Sequence, residues 1–382
     1  MQHGHLYQSP IDPACAESHD YDVLVVGAGP AGSSAAYHLA RRGADVLLVD
    51  RHTFPRDKRC GDAVMPPALE ELALMGLAEA MHERYFAATQ ISTAFYGLSS
   101  NFAKVDASEH FNVGYVAPRA SFDAFLCEHA LQAGASWLDR MTIHSVASTQ
   151  REYAVIQGVH RGRPVQLHAR IVIAADGSGS RLARQLRQEL LELGDIVPLT
   201  APENPKTRYT AMRGYYTGIE GLGDSLEFYF LPEAGTHYYW IFPLHDGLAN
   251  VGVIASMEQL RAEHTDLTKA LEHFLQSADS SERARNATLQ GSLGAAPIAA
   301  GLRGTALYGE HMLCVGDAAA LVHPLSAEGI SGALTSGRLA AETSLVALAQ
   351  KDYSKAALSP YGVALRSRYQ ERYAALAETH LK

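Results

Sequence analysis

The chain has 382 residues, 47% of them hydrophobic and 19% charged, which is enough apolar material for a sizeable core and rules out a disordered chain. Lys and Arg number 32 against 41 Asp and Glu, and the net charge of −9 argues against nucleic acid as a partner, since phosphate binding needs a basic face. Four scattered cysteines without a CxxC pair exclude a disulfide framework or a structural metal site, no apolar run is long enough for a transmembrane segment, and a reduced cytoplasmic setting follows.

Residues 1–19 are polar, carry two prolines and lack the basic start and apolar middle of a signal peptide; they read as a loose tail, with His3 and His5 solvated rather than metal-bound. Val23–Val26 is a short β-branched run of the kind buried on both faces of a sheet. The alanine-rich stretch from Pro30 to Arg42 reads as a helix that stops at Gly43, and Val46–Asp50 is the next buried strand. Ile171–Ala175 and Met312–Val315 read as further strands of the same layer, each followed by an Asp/Gly pair, Asp176-Gly177 and Gly316-Asp317. Ten aromatic residues fall between Tyr209 and Phe242, and turn signals at Pro232–Gly235 and Asp246-Gly247 predict antiparallel strands there. A helix carrying Leu260, Leu267 and Leu271 follows, and from Ile330 onward the chain reads as two helices, the second opened by Ser359-Pro360.

The pattern predicts an α/β protein: a Rossmann-like nucleotide domain (residues 20–85, 115–183 and 300–345) interrupted by an antiparallel-sheet substrate domain (86–114 and 184–299), with a C-terminal helix over 346–382. Gly27-Ala28-Gly29-Pro30-Ala31-Gly32 fits G-x-G-x-x-G between a strand and a helix. Gly27 allows the tight turn, Gly29 lets backbone approach a pyrophosphate, and Gly32 lets helix and strand pack closely. Asp50 ends the second strand, where a carboxylate accepts both ribose hydroxyls and repels a 2′-phosphate, so the nucleotide is FAD or NAD rather than NADP. Arg51 beside it joins the cofactor-binding set. Asp176 and Asp317 favour FAD, whose ribityl chain and ring must be held along the sheet. The helix opening at Gly329-Ile330 offers its N-terminus to the polar edge of reduced flavin.

The start of the chain resembles the FAD site of the p-hydroxybenzoate-hydroxylase-like superfamily. Within it, FPRDKRCGDAV (Phe54–Val64) is similar to a loop of the geranylgeranyl reductase family, and YYWIFP (Tyr238–Pro243) resembles that family's Y-x-W-x-F-P signature. The resemblance implies that Ala31, Asp50, Cys60, Gly61, Arg119, Asp317, Gly329 and Ile330 line FAD. Two positions depart from the family pattern: Ala327 stands where a glycine is usual, and Gly252-Val253-Ile254 where the signature closes with G-x-G.

Cys60 follows Lys58 and Arg59, which favour its thiolate, and packing, proton delivery or gating, and redox chemistry are its open roles. Tyr238, Trp240 and Phe242 alternate, so they share one face of a strand, either as core or as a wall against a flat or polyene substrate. Cys60, Tyr238 and Trp240 are therefore the candidate catalytic residues, with His237, His245 and His323 as weaker candidate acids. A single dinucleotide fingerprint means that NAD(P)H, or a separate reductase donor, acts as a transient electron source. The expected reaction is reduction of a C=C bond in an isoprenoid or similar apolar substrate, with peripheral membrane contact if that substrate is a lipid. The alternative is a monooxygenase or halogenase-like enzyme acting on an aromatic small molecule through a flavin hydroperoxide. A flavin-free chaperone of prenylated proteins has a similar fold, and the intact Asp50, Asp176 and Asp317 argue against it.

Overall fold

In the computed structural model the apolar run near Val23 forms a strand over Asp20–Val26, with Val46–Val49 parallel on one side and Arg163–Ala174 parallel on the other. The structure describes residues 10–95, 98–102, 114–147, 152–195, 208–230, 236–277, 280–302, 306–324 and 326–379. Ser136–Leu138 and Met312–Cys314 extend the layer at its two ends, so five parallel strands lie in the order third, second, first, fourth, fifth. That order reverses direction between the first and fourth strands, which is where an open α/β sheet leaves a crevice for a ligand. Residues 23–26 and 46–49 are all buried, as strands covered on both faces must be.

The chain forms two compact units: Met1–Arg56, Ala120–Glu203 and Ala299–Lys382 make the first, and Asp57–Arg119 with Asn204–Ile298 the second. Residues 57–85, assigned from sequence to the nucleotide domain, belong to the second unit. Ala63–Val64 and Phe86–Ala88 both pair with Gly114–Val116 there, which ties the segment down. Conversely, residues 184–192, assigned from sequence to the substrate domain, lie in the helix Arg181–Glu192, which puts Leu182, Leu186 and Leu190 into the core of the first unit.

Residues 10–19 are not a loose tail. A short helix, Pro13–Glu17, is capped by Asp12, Ala16 is buried, and the Ile11 N–H donates to the Trp137 carbonyl at 2.8 Å. His3, His5 and the turn at Pro232–Gly235 lie outside the described residues, as does the side chain of His237.

In the first unit the helix Pro30–Ala40 packs against Ile330–Gln350 through small residues. A Cβ on Gly337 would come within 2.3 Å of the Ala31 carbonyl oxygen, and the Ser34 hydroxyl donates to the Leu334 carbonyl at 2.8 Å. The last helix begins at Lys355 rather than at Ser359, so Pro360 lies inside it and cannot donate to the Ala356 carbonyl; the Ser359 hydroxyl takes that acceptor at 2.8 Å.

The second unit is built on a seven-stranded sheet, in the order Thr288–Ala299, Arg208–Thr217, Ala249–Ser256, Thr236–Pro243, Ser225–Phe230, Gln90–Phe95, Leu98–Phe102. The expected antiparallel pairings occur among the central strands, but Ser225–Phe230 runs parallel to Gln90–Phe95. A parallel neighbour must arrive by a long connection, and here the chain passes through the first unit between the two strands. The predicted leucine helix is two helices, Met257–Glu263 and Leu267–Gln276, broken where His264 takes a left-handed cap and Asp266 caps the next helix. One sheet face carries Tyr229, Tyr239, Ile241 and Val251 onto Leu271 and Phe274 of that second helix, with Tyr239 and Phe274 stacked at 4.5 Å. Because strand side chains alternate, Tyr238, Trp240 and Phe242 occupy the opposite face.

Candidate functional site

The first unit brings the nucleotide motifs together at the reversal of its sheet. Gly27 has φ +105°, and a Cβ there would lie 2.3 Å from the Ala175 carbonyl oxygen at the end of the fourth strand. A Cβ on Gly32 would lie 1.8 Å from the Gly27 oxygen, so only glycine permits this closeness of turn and helix. Gly29 is the N-cap of Pro30–Ala40 and supplies no side-chain cap, which leaves the first-turn N–H groups for an anion. Ala31 is buried on the same helix.

Asp50 is 6% exposed and accepts the Ala28 N–H at 2.9 Å and the His52 N–H at 2.8 Å, one on each carboxylate oxygen. Burial alone would push its carboxyl up, but the His52 side chain, the Arg56 charge and the two backbone donors together hold it below the usual carboxylate range. Each oxygen keeps acceptor capacity for a hydroxyl. Arg51 is exposed beside it. Arg56 makes its short contact with Asp123, at 2.6 Å, rather than with Asp50.

Asp176 follows the fourth strand. Its Oδ2 accepts the Arg181 N–H at 3.0 Å, its Oδ1 has no partner among the described residues, and burial raises its pKa. Asp317 lies in the one-turn helix Gly316–Ala319 after the fifth strand, and a Cβ on Gly329 would sit 3.5 Å from its Oδ1. Gly329 caps the 21-residue helix Ile330–Gln350 without a side chain, and the preceding Glu328 accepts the Ser331 N–H at 2.7 Å. Burial raises the Glu328 carboxyl, opposed by the helix N–H groups. Ala327 stands in left-handed backbone at φ +52°, a conformation that a glycine adopts without strain.

Cys60, Gly61, Arg119, Tyr238 and Trp240 belong to the second unit. Cys60 is half-buried, and a Cβ on Gly61 would meet Phe242 at 3.2 Å and Trp240 at 3.5 Å, so the Cys60–Gly61 turn rests on the aromatic face. Tyr238 and Phe242 each lie 6.1 Å from Trp240, and Phe228 adds contacts at 5.1 Å to Phe242 and 5.5 Å to Tyr238. Trp240 is 3% exposed; its ring covers Gly252, where a Cβ would lie 2.2 Å from Cζ2, and its indole N–H donates to Asn250 Oδ1 at 2.9 Å. Ile254 pairs with Tyr238 across the next strand and is buried. Arg119 opens the helix Arg119–Gln132 and is buried.

Sequence reasoning missed the polar residues beneath that turn: Asp62, Arg213, Tyr215 and Asn250. Only Asp62 was within a quoted motif, and an Asp after Cys-Gly carries no signal of burial. His245 is exposed and packs edge-on against Phe86 at 5.6 Å, and His323 accepts the Ser326 N–H at 3.1 Å in a local turn. Among the described residues no group of three or more His, Cys, Asp and Glu side chains converges, and no helix is long and apolar enough to cross a membrane.

A glycine turn with no room for a Cβ, a buried carboxylate with acceptor capacity left and the unpartnered Oδ1 of Asp176 fit the needs of a bound FAD. The family described as FAD binding domain matches residues 20–216. Digeranylgeranylglycerophospholipid reductase 1 of Methanothermobacter thermautotrophicus is 32% identical, over 90% of this chain and 81% of that protein. The digeranylgeranylglycerophospholipid reductase of Thermoplasma acidophilum is 28% identical over 92% and 85%. Among solved structures, a geranylgeranyl bacteriochlorophyll reductase-like protein of Thermoplasma acidophilum superposes with a TM-score of 0.80 at 24% identity, covering 93% of this chain and 85% of that one. A myxobacterial chondrochloren halogenase gives 0.76 at 22% identity, covering 94% and 82%, and both likenesses speak to fold alone. With the glycine turn, Asp50 and the relatives' extent agreeing, the chain belongs to the geranylgeranyl reductase family of FAD-dependent oxidoreductases.

Proposed function

We propose that this oxidoreductase reduces a C=C bond of an isoprenoid or similar apolar substrate. The observation that carries the reading is the 32% identity, over nine-tenths of the chain, to a digeranylgeranylglycerophospholipid reductase. FAD, when bound, supplies hydride from its reduced ring. The Gly27–Gly32 turn and the helix it opens receive the pyrophosphate, and Asp50 accepts the ribose hydroxyls with Arg51 beside it. Asp176 and Asp317 accept along the ribityl chain. The N-terminus at Gly329-Ile330, where Glu328 already accepts the Ser331 N–H, would face the polar edge of the ring. Arg119, Cys60 and Gly61 complete the cofactor set by their place in the family motifs. Cys60 holds the proton for the second substrate carbon, and Tyr238 with Trp240 gives an apolar wall. NAD(P)H or a separate reductase is the electron donor, and a lipid substrate would be met by peripheral contact with a membrane surface.

The test is turnover of a geranylgeranyl lipid by chemically reduced enzyme, under argon and in air. Reduction adds two hydrogens, so the product gains about 2 Da per bond and forms without oxygen, whereas oxygenation needs air and adds about 16 Da. Strict dependence on oxygen, with label from oxygen gas in the product, overturns the reading in favour of a monooxygenase.

A further inference from the structure

Within the second unit the turn that carries Cys60 is fastened from below by one buried polar cluster. Asn250, on the strand Ala249–Ser256, donates its amide to the Cys60 carbonyl and to Asp62 Oδ2, both at 2.9 Å, while its own oxygen receives the Trp240 indole. Tyr215 donates its hydroxyl to the same Asp62 oxygen at 2.6 Å. Arg213 lies over the Tyr215 ring at 4.2 Å and donates to the Cys60 and Lys58 carbonyls, both at 3.3 Å, and to Asp57 at 2.5 Å. Asp62 has no exposed surface, adopts φ +65°, and leaves Oδ1 without a partner among the described residues.

We propose that Asp62 is a positioning residue whose charge state governs how firmly the Cys60–Gly61 turn is held against the aromatic sheet. When ionised, Asp62 makes two charge-assisted bonds through Oδ2, and these fix the Tyr215 hydroxyl and the Asn250 amide. Through that amide the charge reaches both the Cys60 carbonyl and the indole on which Gly61 rests. When protonated, the same two bonds become ordinary neutral ones and the amide is held more weakly, while the carboxyl itself stays buried and only the Cys60–Gly61 turn loosens. The charged and titratable groups facing the carboxyl are Arg213 and Tyr215 from the strand Arg208–Thr217 and Arg119 from the start of its helix; Asp57 draws Arg213 from the other side. Burial pushes the carboxyl up to about 6, against Arg213, Tyr215, Asn250 and Arg119, so both states lie within reach of mildly acidic conditions.

The first readout needs neither flavin nor substrate. Cys127 and Cys314 are buried, so in a Cys15→Ser background alkylation by iodoacetamide reports on Cys60 alone. The rate is divided by the thiolate fraction of Cys60 itself, read at the same pH from the ultraviolet absorbance of the thiolate, to remove thiol ionisation. In the protein with Asp62, the normalised rate rises about fivefold as pH falls from about 7.5 to about 5, as the bonds lose their charge. Asp62→Asn, which mimics the neutral acid, reacts fast at every pH. Tyr215→Phe removes one donor to the carboxylate and moves the midpoint upward. Equal profiles with and without Asp62, a slow flat rate in Asp62→Asn, or an unmoved midpoint in Tyr215→Phe overturns the proposal. Because no turnover enters the measurement, its failure is separate from failure of the proposed reaction.

Discussion

At the scale of single residues, what could be read from the sequence is what backbone geometry alone requires. Gly27 and Gly32 are forced by contacts within one turn and its neighbouring strand end, so their spacing announces them. Asp317 is of the same kind: a carboxylate after a buried strand, beside a glycine-capped helix. Asp317→Ala is expected to purify with much less than one FAD per chain, since each hydrogen bond to a carboxylate is worth about 1.5–3 kcal/mol. The flavin-to-protein absorbance ratio measures this, and full occupancy would remove Asp317 from the ribityl contacts. Asp62 is of the opposite kind. Its partners Tyr215 and Asn250 stand 153 and 188 residues further along, and no local pattern encodes such a meeting.

At the scale of elements, the alternation of Tyr238, Trp240 and Phe242 placed them on one sheet face, and they lie there. What the alternation could not tell was which atoms cover that face. Gly252 opens the cross-strand space for the Trp240 ring, and Asn250, on the same face of the same neighbouring strand, takes its N–H. Trp240 is therefore a braced member of the sheet as well as a candidate wall. Trp240→Phe keeps the apolar ring but leaves the buried Asn250 oxygen without its donor, and is expected to cost about 1–3 kcal/mol of stability. Trp240→Ala adds a cavity and is expected to cost about 3–5 kcal/mol. Urea unfolding of the two variants checks both figures. A Phe variant as stable as the parent would mean that the indole bond contributes nothing and that Trp240 acts by surface alone. The parallel pairing of Ser225–Phe230 with Gln90–Phe95 was illegible for a related reason: register between distant segments is set by chain routing, not by either segment.

At the scale of the whole molecule, the perturbed carboxyls pull stability in opposite directions with pH. Asp50 is held below its usual range in the folded chain, so its contribution is present above about pH 4, the unfolded carboxylate value, and is lost at lower pH as the folded group protonates. Asp62, raised to about 6, works the other way. The folded state prefers its protonated form, so its contribution is complete below about pH 4 and disappears as pH rises through about 6. Asp176 and Glu328 are raised by burial and have the same sign as Asp62. A shift of about two pH units corresponds to about 3 kcal/mol in all, of which about half falls between about pH 5 and about pH 7.5, so Asp62 alone is expected to make the protein less resistant to urea at the higher pH. Asp62→Asn keeps an acceptor for Tyr215 and Asn250 but cannot ionise, and so should lose most of that decline while retaining the acid-side loss that Asp50 brings. Unfolding free energies of the two proteins between about pH 3 and 7.5 decide the matter. Curves that run parallel across the interval would take Asp62 out of the pH response and leave Asp176 and Glu328 as its source.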